Sequence, residues 1–338
     1  MRPTFSIICF TVLSGLGYGV WFLIGLGFAI GPVCAPRGAP GVSGITLAPC
    51  QAPFVSSTGL LLAFVLVSAG LLCSLGHLGQ PQRAWRALSQ WRTSWLSREG
   101  VLALLTFVPA LALLAQRVGE RFGARPALPY AIAPRLLGVA LCAGAALTVF
   151  CTANIYASLK PIAAWRLRHV VPAYLLLGVY GGALLLAAGT TSLGGWLPVR
   201  DTRTLLLVVI ALAMSAAWLK SSYWRAIDAL AARDAGHATG LDALGNVRSF
   251  EQPHTEQNYL THEMGFVLAR KHGRKLRVIA LLAAFAIPAL LALLGFMVPA
   301  MQPVAVWLAL ASGVLGLFFE RWLFFAEAKH AVMAYYAR

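Results

Sequence analysis

Eight long apolar runs constrain this chain more than any other feature of its sequence. They cover residues 6–32, 54–77, 95–116, 133–158, 170–189, 204–224, 276–298 and 304–326. Each is about 20 residues or longer, enough to cross a hydrocarbon layer of about 30 Å at about 1.5 Å per residue. Hydrocarbon offers no hydrogen bonds, so every backbone N–H and C=O must be satisfied within the segment, which makes each run a helix. Only 11% of the residues are charged, against about 25% in a soluble domain. Too few charges remain to cover a water-facing surface. The expected architecture is an all-α integral membrane bundle of eight transmembrane helices, forming one domain over residues 1–338. The first run is too long, and too rich in glycine and aromatics, to read as a cleavable signal peptide. No repeat of fixed period is visible.

An even number of spans places both termini on one side. Of the 27 Lys and Arg residues, 20 fall at the membrane edge shared with the termini and seven at the other. The positive-inside rule therefore puts both termini in the cytoplasm, as for a multi-pass protein of the inner (cytoplasmic) membrane. A net charge of +16 gathered on that face suits an acidic protein partner and anionic lipid. Nucleic acid is not expected as a partner of a chain embedded in lipid. The long polar stretch 225–275 reads either as a solvated linker or as a docking surface.

Cys9, Cys73, Cys142 and Cys151 lie inside the apolar runs, where a thiol is an ordinary packing group. Cys34 and Cys50 share the first loop, on the side opposite the termini, and form either a disulfide or two unrelated thiols. No C-x-x-C pair, Walker loop or dinucleotide glycine pattern is present. All seven histidines fall at the edge of the termini. A pair of haems needs histidines at two depths, and this chain supplies one, so neither haem nor an iron–sulfur cluster is expected in it.

The densest polar stretch at a membrane edge runs from His77 through Pro81, Arg83, Trp85, Arg86, Trp91, Arg92, Trp95 and Arg98 to Glu99. Pro81 can open a short helix, and Trp85, Leu88 and Trp91 then recur at helical spacing among arginines. That pattern predicts a short helix lying in the interface between the second and third spans. His77 closes one span and Glu99 opens the next, so the two can face one pocket at one depth. A histidine and a carboxylate there suit proton exchange with a quinone, since quinol oxidation releases two protons with two electrons. Arginine can orient the head group and tryptophan can stack on its ring. Each residue also has a structural reading: an aromatic belt, snorkelling arginines, and a carboxylate at a helix N-terminus. A second polar group, Glu320-Arg321 with Glu327 and Lys329, reads as locally neutralised charge at Glu320, while the role of Glu327 stays open.

These residues carry a resemblance. The stretch His77-Leu-Gly-x-Pro81-x-Arg83-Ala-Trp85 and the later Ser94-Trp-Leu-Ser97-x-Glu99 resemble the membrane-anchor subunit family of dimethyl sulfoxide reductase. Asn154-Ile-Tyr156-Ala-Ser with Trp165, and Arg321-Trp-Leu-Phe-Phe, fit the same family. The resemblance runs from end to end of the chain. It implies an anchor that holds a four-cluster iron–sulfur subunit and a molybdopterin catalytic subunit at the membrane and exchanges electrons with menaquinone or ubiquinone. It assigns the quinone site to His77, Arg83 and Glu99, with Trp85, Trp95 and Arg98 as further candidates. It implies no residue of the molybdenum chemistry in this chain. The charge count departs from the best-known members, whose equivalent edge faces the periplasm, and favours the sulfite-dehydrogenase-like branch that delivers electrons into quinone. Two other functions compete: a purely structural anchor, and a small-solute transporter. Transporters commonly show repeated halves and midplane binding groups, and here the polar groups gather at one edge.

Overall fold

The computed structural model describes residues 3–30, 57–76, 78–122, 133–192, 199–230, 235–241 and 272–336, together with 243, 245, 247, 250, 251 and 256. His77, Cys34, Cys50 and most of the long polar stretch lie outside the described residues. Among the described residues, eight helices are long and apolar enough to cross a membrane. They are α1 (Phe5–Ile30), α2 (Ser57–Leu75), α3 (Trp95–Arg121), α4 (Ala133–Ala157), α5 (Val170–Ser192), α6 (Val199–Asp228), α7 (Gly273–Met297) and α8 (Gln302–Ala326).

Two of them outrun their apolar cores. α3 continues to Arg121 and α6 begins at Val199. Long arginine stems allow this by lying along apolar surface near the helix ends. Arg117 sits 4.9 Å from the Phe28 ring centre and Arg203 sits 5.7 Å from that of Phe296.

The helices pack as two rings of four. In the first, α1 meets α2 and α4, and α3 bridges α4 and α2; in the second, α5 meets α6 and α8, and α7 bridges them. The rings join where α1 lies against α5, making these the most enclosed spans. Glycine permits that approach. A Cβ on Gly19 would fall 1.8 Å from the Gly178 carbonyl oxygen, and one on Gly182 would fall 2.3 Å from the Gly19 carbonyl carbon. Gly15 and Gly19, like Gly178 and Gly182, are spaced as in the small-xxx-small motif of membrane helix pairs.

One irregularity interrupts an otherwise regular span. α7 widens into a π-helical turn over Leu282–Ala286, just before Pro288. Proline has no N–H, so a carbonyl one turn earlier loses its helical donor, and in lipid it must be satisfied otherwise. The Tyr180 hydroxyl donates to the Ala284 carbonyl at 2.5 Å, and the Ser312 hydroxyl to that of Ala283 at 2.9 Å. Gly316 of α8 gives the turn room: a Cβ there would meet the Ala284 nitrogen at 2.1 Å.

The expected interfacial element forms as a 3-10 helix, Pro81–Gln90, with no buried residue. Its attachment comes from α3. Arg98 donates to the carbonyls of Trp91 at 3.0 Å and Arg92 at 2.5 Å, while the Ser97 hydroxyl donates to the Ala87 carbonyl. The chain between α4 and α5 is held at the same edge by Trp165, whose indole donates to the Phe324 carbonyl at 3.1 Å and stacks on the Phe324 ring.

Candidate functional site

Glu99 is the fifth residue of α3 and only 5% exposed. The Thr152 hydroxyl of α4 donates to its Oε1. A carboxylate out of water needs hydrogen bonds or an opposite charge. Glu320 and Glu327, also buried, both have cations. Glu320 meets Lys220 of α6 and Arg321 at 2.5 Å each. Glu327 meets Arg277 of α7 at 2.8 Å, and the same guanidinium reaches the exposed Asp228 at 2.7 Å. Among the described residues, Glu99 is the buried glutamate without an ion-pair partner.

The other sequence candidates lie around Glu99 in a graded way. Arg98 is committed to the two interfacial carbonyls and stacks on Trp95 at 4.5 Å, and Trp95 in turn meets Phe150 edge-on. Arg83 and Trp85 are exposed on the interfacial turn, where Arg86 lies over the Trp85 ring at 5.6 Å. The turn rests on the start of α3 beside Glu99, because Leu88 fills the space over Gly100, where a Cβ would come within 2.7 Å. His77 lies outside the described residues.

Sequence reasoning missed three features. Thr152 is one of many hydroxyls in apolar runs, and only the α3–α4 packing reveals its partner. Lys220 stands inside the sixth run, and an ionisable residue there was itself a signal; its partner Glu320 lies 100 positions away. Glu327 pairs with Arg277 rather than with Lys329, because the end of α8 turns its carboxylate toward the start of α7. Outside the span, burial pushes the Glu327 carboxyl up while Arg277 opposes that shift.

Residues 52–235 match the family model described as DMSO reductase anchor subunit (DmsC). The chain belongs to that family. A relative, a sulfite dehydrogenase subunit of Allochromatium vinosum, is 32% identical over 347 aligned positions, covering 99% of each chain. This DMSO reductase-type anchor is thus a multi-pass membrane protein whose family implies partner subunits for catalysis and electron transfer. The matched segment takes in the interfacial turn, Glu99 and Thr152, as well as Lys220. In the anchor, these polar groups all lie near the helix ends at the edge shared with the termini.

Proposed function

We propose that this anchor binds quinone at the membrane edge beside Glu99 and passes it electrons from an iron–sulfur partner fed by a molybdopterin subunit. The observation that carries the reading is the buried carboxylate of Glu99, whose charge no cation among the described residues holds in place. A group in that setting can take or give a proton, whereas an ion-paired carboxylate is bound to its charge. Reduction of a quinone consumes two electrons and two protons. Glu99 would pass protons to a quinone oxygen, and His77 and Arg83 at the same edge would bind the head group. Trp85, Trp95 and Arg98 would wall the ring. The likeness to a sulfite dehydrogenase subunit, together with the basic edge, supports a complex that oxidises on the cytoplasmic side of the inner membrane and reduces menaquinone or ubiquinone.

Purification of the intact complex, followed by assay of quinone reduction and quinol oxidation, tests this. The Glu99→Gln complex should assemble and lose turnover by roughly 100-fold, the usual scale for a positioned acid or base. An assembled Glu99→Gln or His77→Ala complex with wild-type turnover would leave the chain a structural anchor.

A further inference from the structure

A small cavity of about 30 Å³ separates the Glu99 site from the second polar group. It lies where α1, α4, α5 and α8 meet, and its polar lining comprises Thr11, Ser14, Thr152, Tyr174 and Arg321. Thr152 is the residue that donates to Glu99. At the opposite wall, Arg321 is 4% exposed and uses Nε on Glu320. Its Nη2 is buried beside the equally buried Tyr174 hydroxyl, and neither atom completes a well-aligned hydrogen bond to protein. A guanidinium N–H left dry inside a membrane protein is costly. The cavity has the volume for about two waters, and its several polar groups give them partners.

Behind Arg321 the charges do not cancel. Lys220 and Arg321 carry two positive charges against the single negative charge of Glu320, so the cluster holds one excess positive charge. The rings of Tyr223 at 4.1 Å and Trp224 at 5.1 Å face the Lys220 ammonium and favour its charged form. In a medium of low effective dielectric, such a charge acts well beyond hydrogen-bond distance.

We propose that water in this cavity couples Glu99 to Arg321, and that the excess positive charge of the Lys220–Glu320–Arg321 cluster sets the protonation balance of Glu99. The inference rests on the quinone reading for its purpose, since Glu99 is the proton-exchanging group there. Its geometry stands independently. Lys220 and Arg321 act as positioning residues: they touch no reacting atom and work through the field and the cavity water. The titratable or charged groups facing Glu99 include Tyr18 on α1, Arg98 on α3, and Cys151 and Tyr156 on α4. Those around the cluster include Tyr156 again, His169 and Tyr174 on the α5 side, Tyr223 on α6, and Arg277 on α7 with its partners Glu327 and Asp228.

The test is a charge series in the intact complex. The probe is the infrared band of the protonated Glu99 carboxyl, assigned by its loss in Glu99→Gln and followed against pH. Lys220→Met removes the excess charge, and its midpoint should move up by roughly one pH unit. Glu320→Gln raises the excess to two, and its midpoint should move down by a similar amount. Lys220→Arg keeps the charge and should leave the midpoint in place. Packing damage has no reason to follow the sign of the charge. A midpoint that stays put in Lys220→Met and Glu320→Gln, or moves the same way in both, overturns the coupling. Should one variant fail to assemble, the other still decides by the direction of its shift. Parallel quinone turnover keeps the two ideas apart. If Glu99→Gln turns over normally while the band shifts with charge, the quinone reading fails and the coupling stands.

Discussion

The Thr152 hydroxyl on α4 donates to the carboxylate of Glu99 on α3, across a helix crossing and 53 positions of sequence. Among the described residues it is the hydrogen bond that reaches that carboxylate, so it fixes where the carboxylate sits. Thr152→Val keeps the side-chain shape and removes the donor. The expected outcome is an assembled complex whose quinone turnover falls by roughly tenfold, less than the loss for Glu99→Gln, because an acid or base works only within reach of its proton. Steady-state quinone reduction by the purified complex measures it. Unchanged turnover would mean that the hydroxyl serves α3–α4 packing alone.

The close approach of α1 and α5 predicts a sharp contrast between neighbouring glycines. Gly182→Ala drives a methyl into the Gly19 backbone, within 2.3 Å of its carbonyl carbon. It should destabilise the bundle by about 1–3 kcal/mol, the usual scale of overpacking. Gly15→Ala has nothing within 4 Å of its added carbon, and alanine favours the helix by up to about 1 kcal/mol. Thermal unfolding of the detergent-solubilised protein should show a lower midpoint for Gly182→Ala and an equal or higher one for Gly15→Ala.

His169, just outside α5, predicts a pH dependence of stability. Burial, then the neighbouring Arg168 and Lys220, hold its pKa below the ordinary 6.5. Its Nε2 lies 3.2 Å from the Ser222 hydroxyl. The folded state therefore binds this proton less readily than the unfolded chain, and the stability the neutral ring contributes is present above pH 6.5. It is lost as pH falls from there toward the depressed folded value. Comparing the unfolding midpoint at pH 7.5 and pH 5.5, in wild type and His169→Gln, should show a smaller drop in the variant. Equal drops would assign the acid sensitivity elsewhere.

How far the site was legible depended on the kind of signal. Glu99 stood out because a carboxylate opening an apolar run is costly wherever it points. The interfacial turn was readable from Pro81 and the recurring tryptophans, although its 3-10 winding was not. Lys220 carries the same kind of signal as Glu99, but in sequence it blends with the other positive charges of the basic edge. Thr152 carries none: a hydroxyl in a helix can bond its own backbone, and Thr152 also donates to the Thr148 carbonyl at 3.1 Å. The role of Tyr180 is equally hidden. The need for it comes from Pro288, more than 100 positions away, and is met only because the Tyr180 side chain of α5 reaches across the ring to α7.

The apolar runs and the placement of Lys and Arg between them already dictate eight crossings, termini on a shared edge, and the gathering of charge there. Those properties follow from the hydrocarbon, which rejects unpaired backbone and charge in any arrangement of helices. Which polar groups meet depends on how the helices pack. Helices without a hydrophobic force between them settle by close packing, so the position of each glycine governs which faces touch. Among the described residues, that packing gave Glu320 two cations, gave Glu327 the arginine of α7, and left Glu99 with a hydroxyl and no counter-charge.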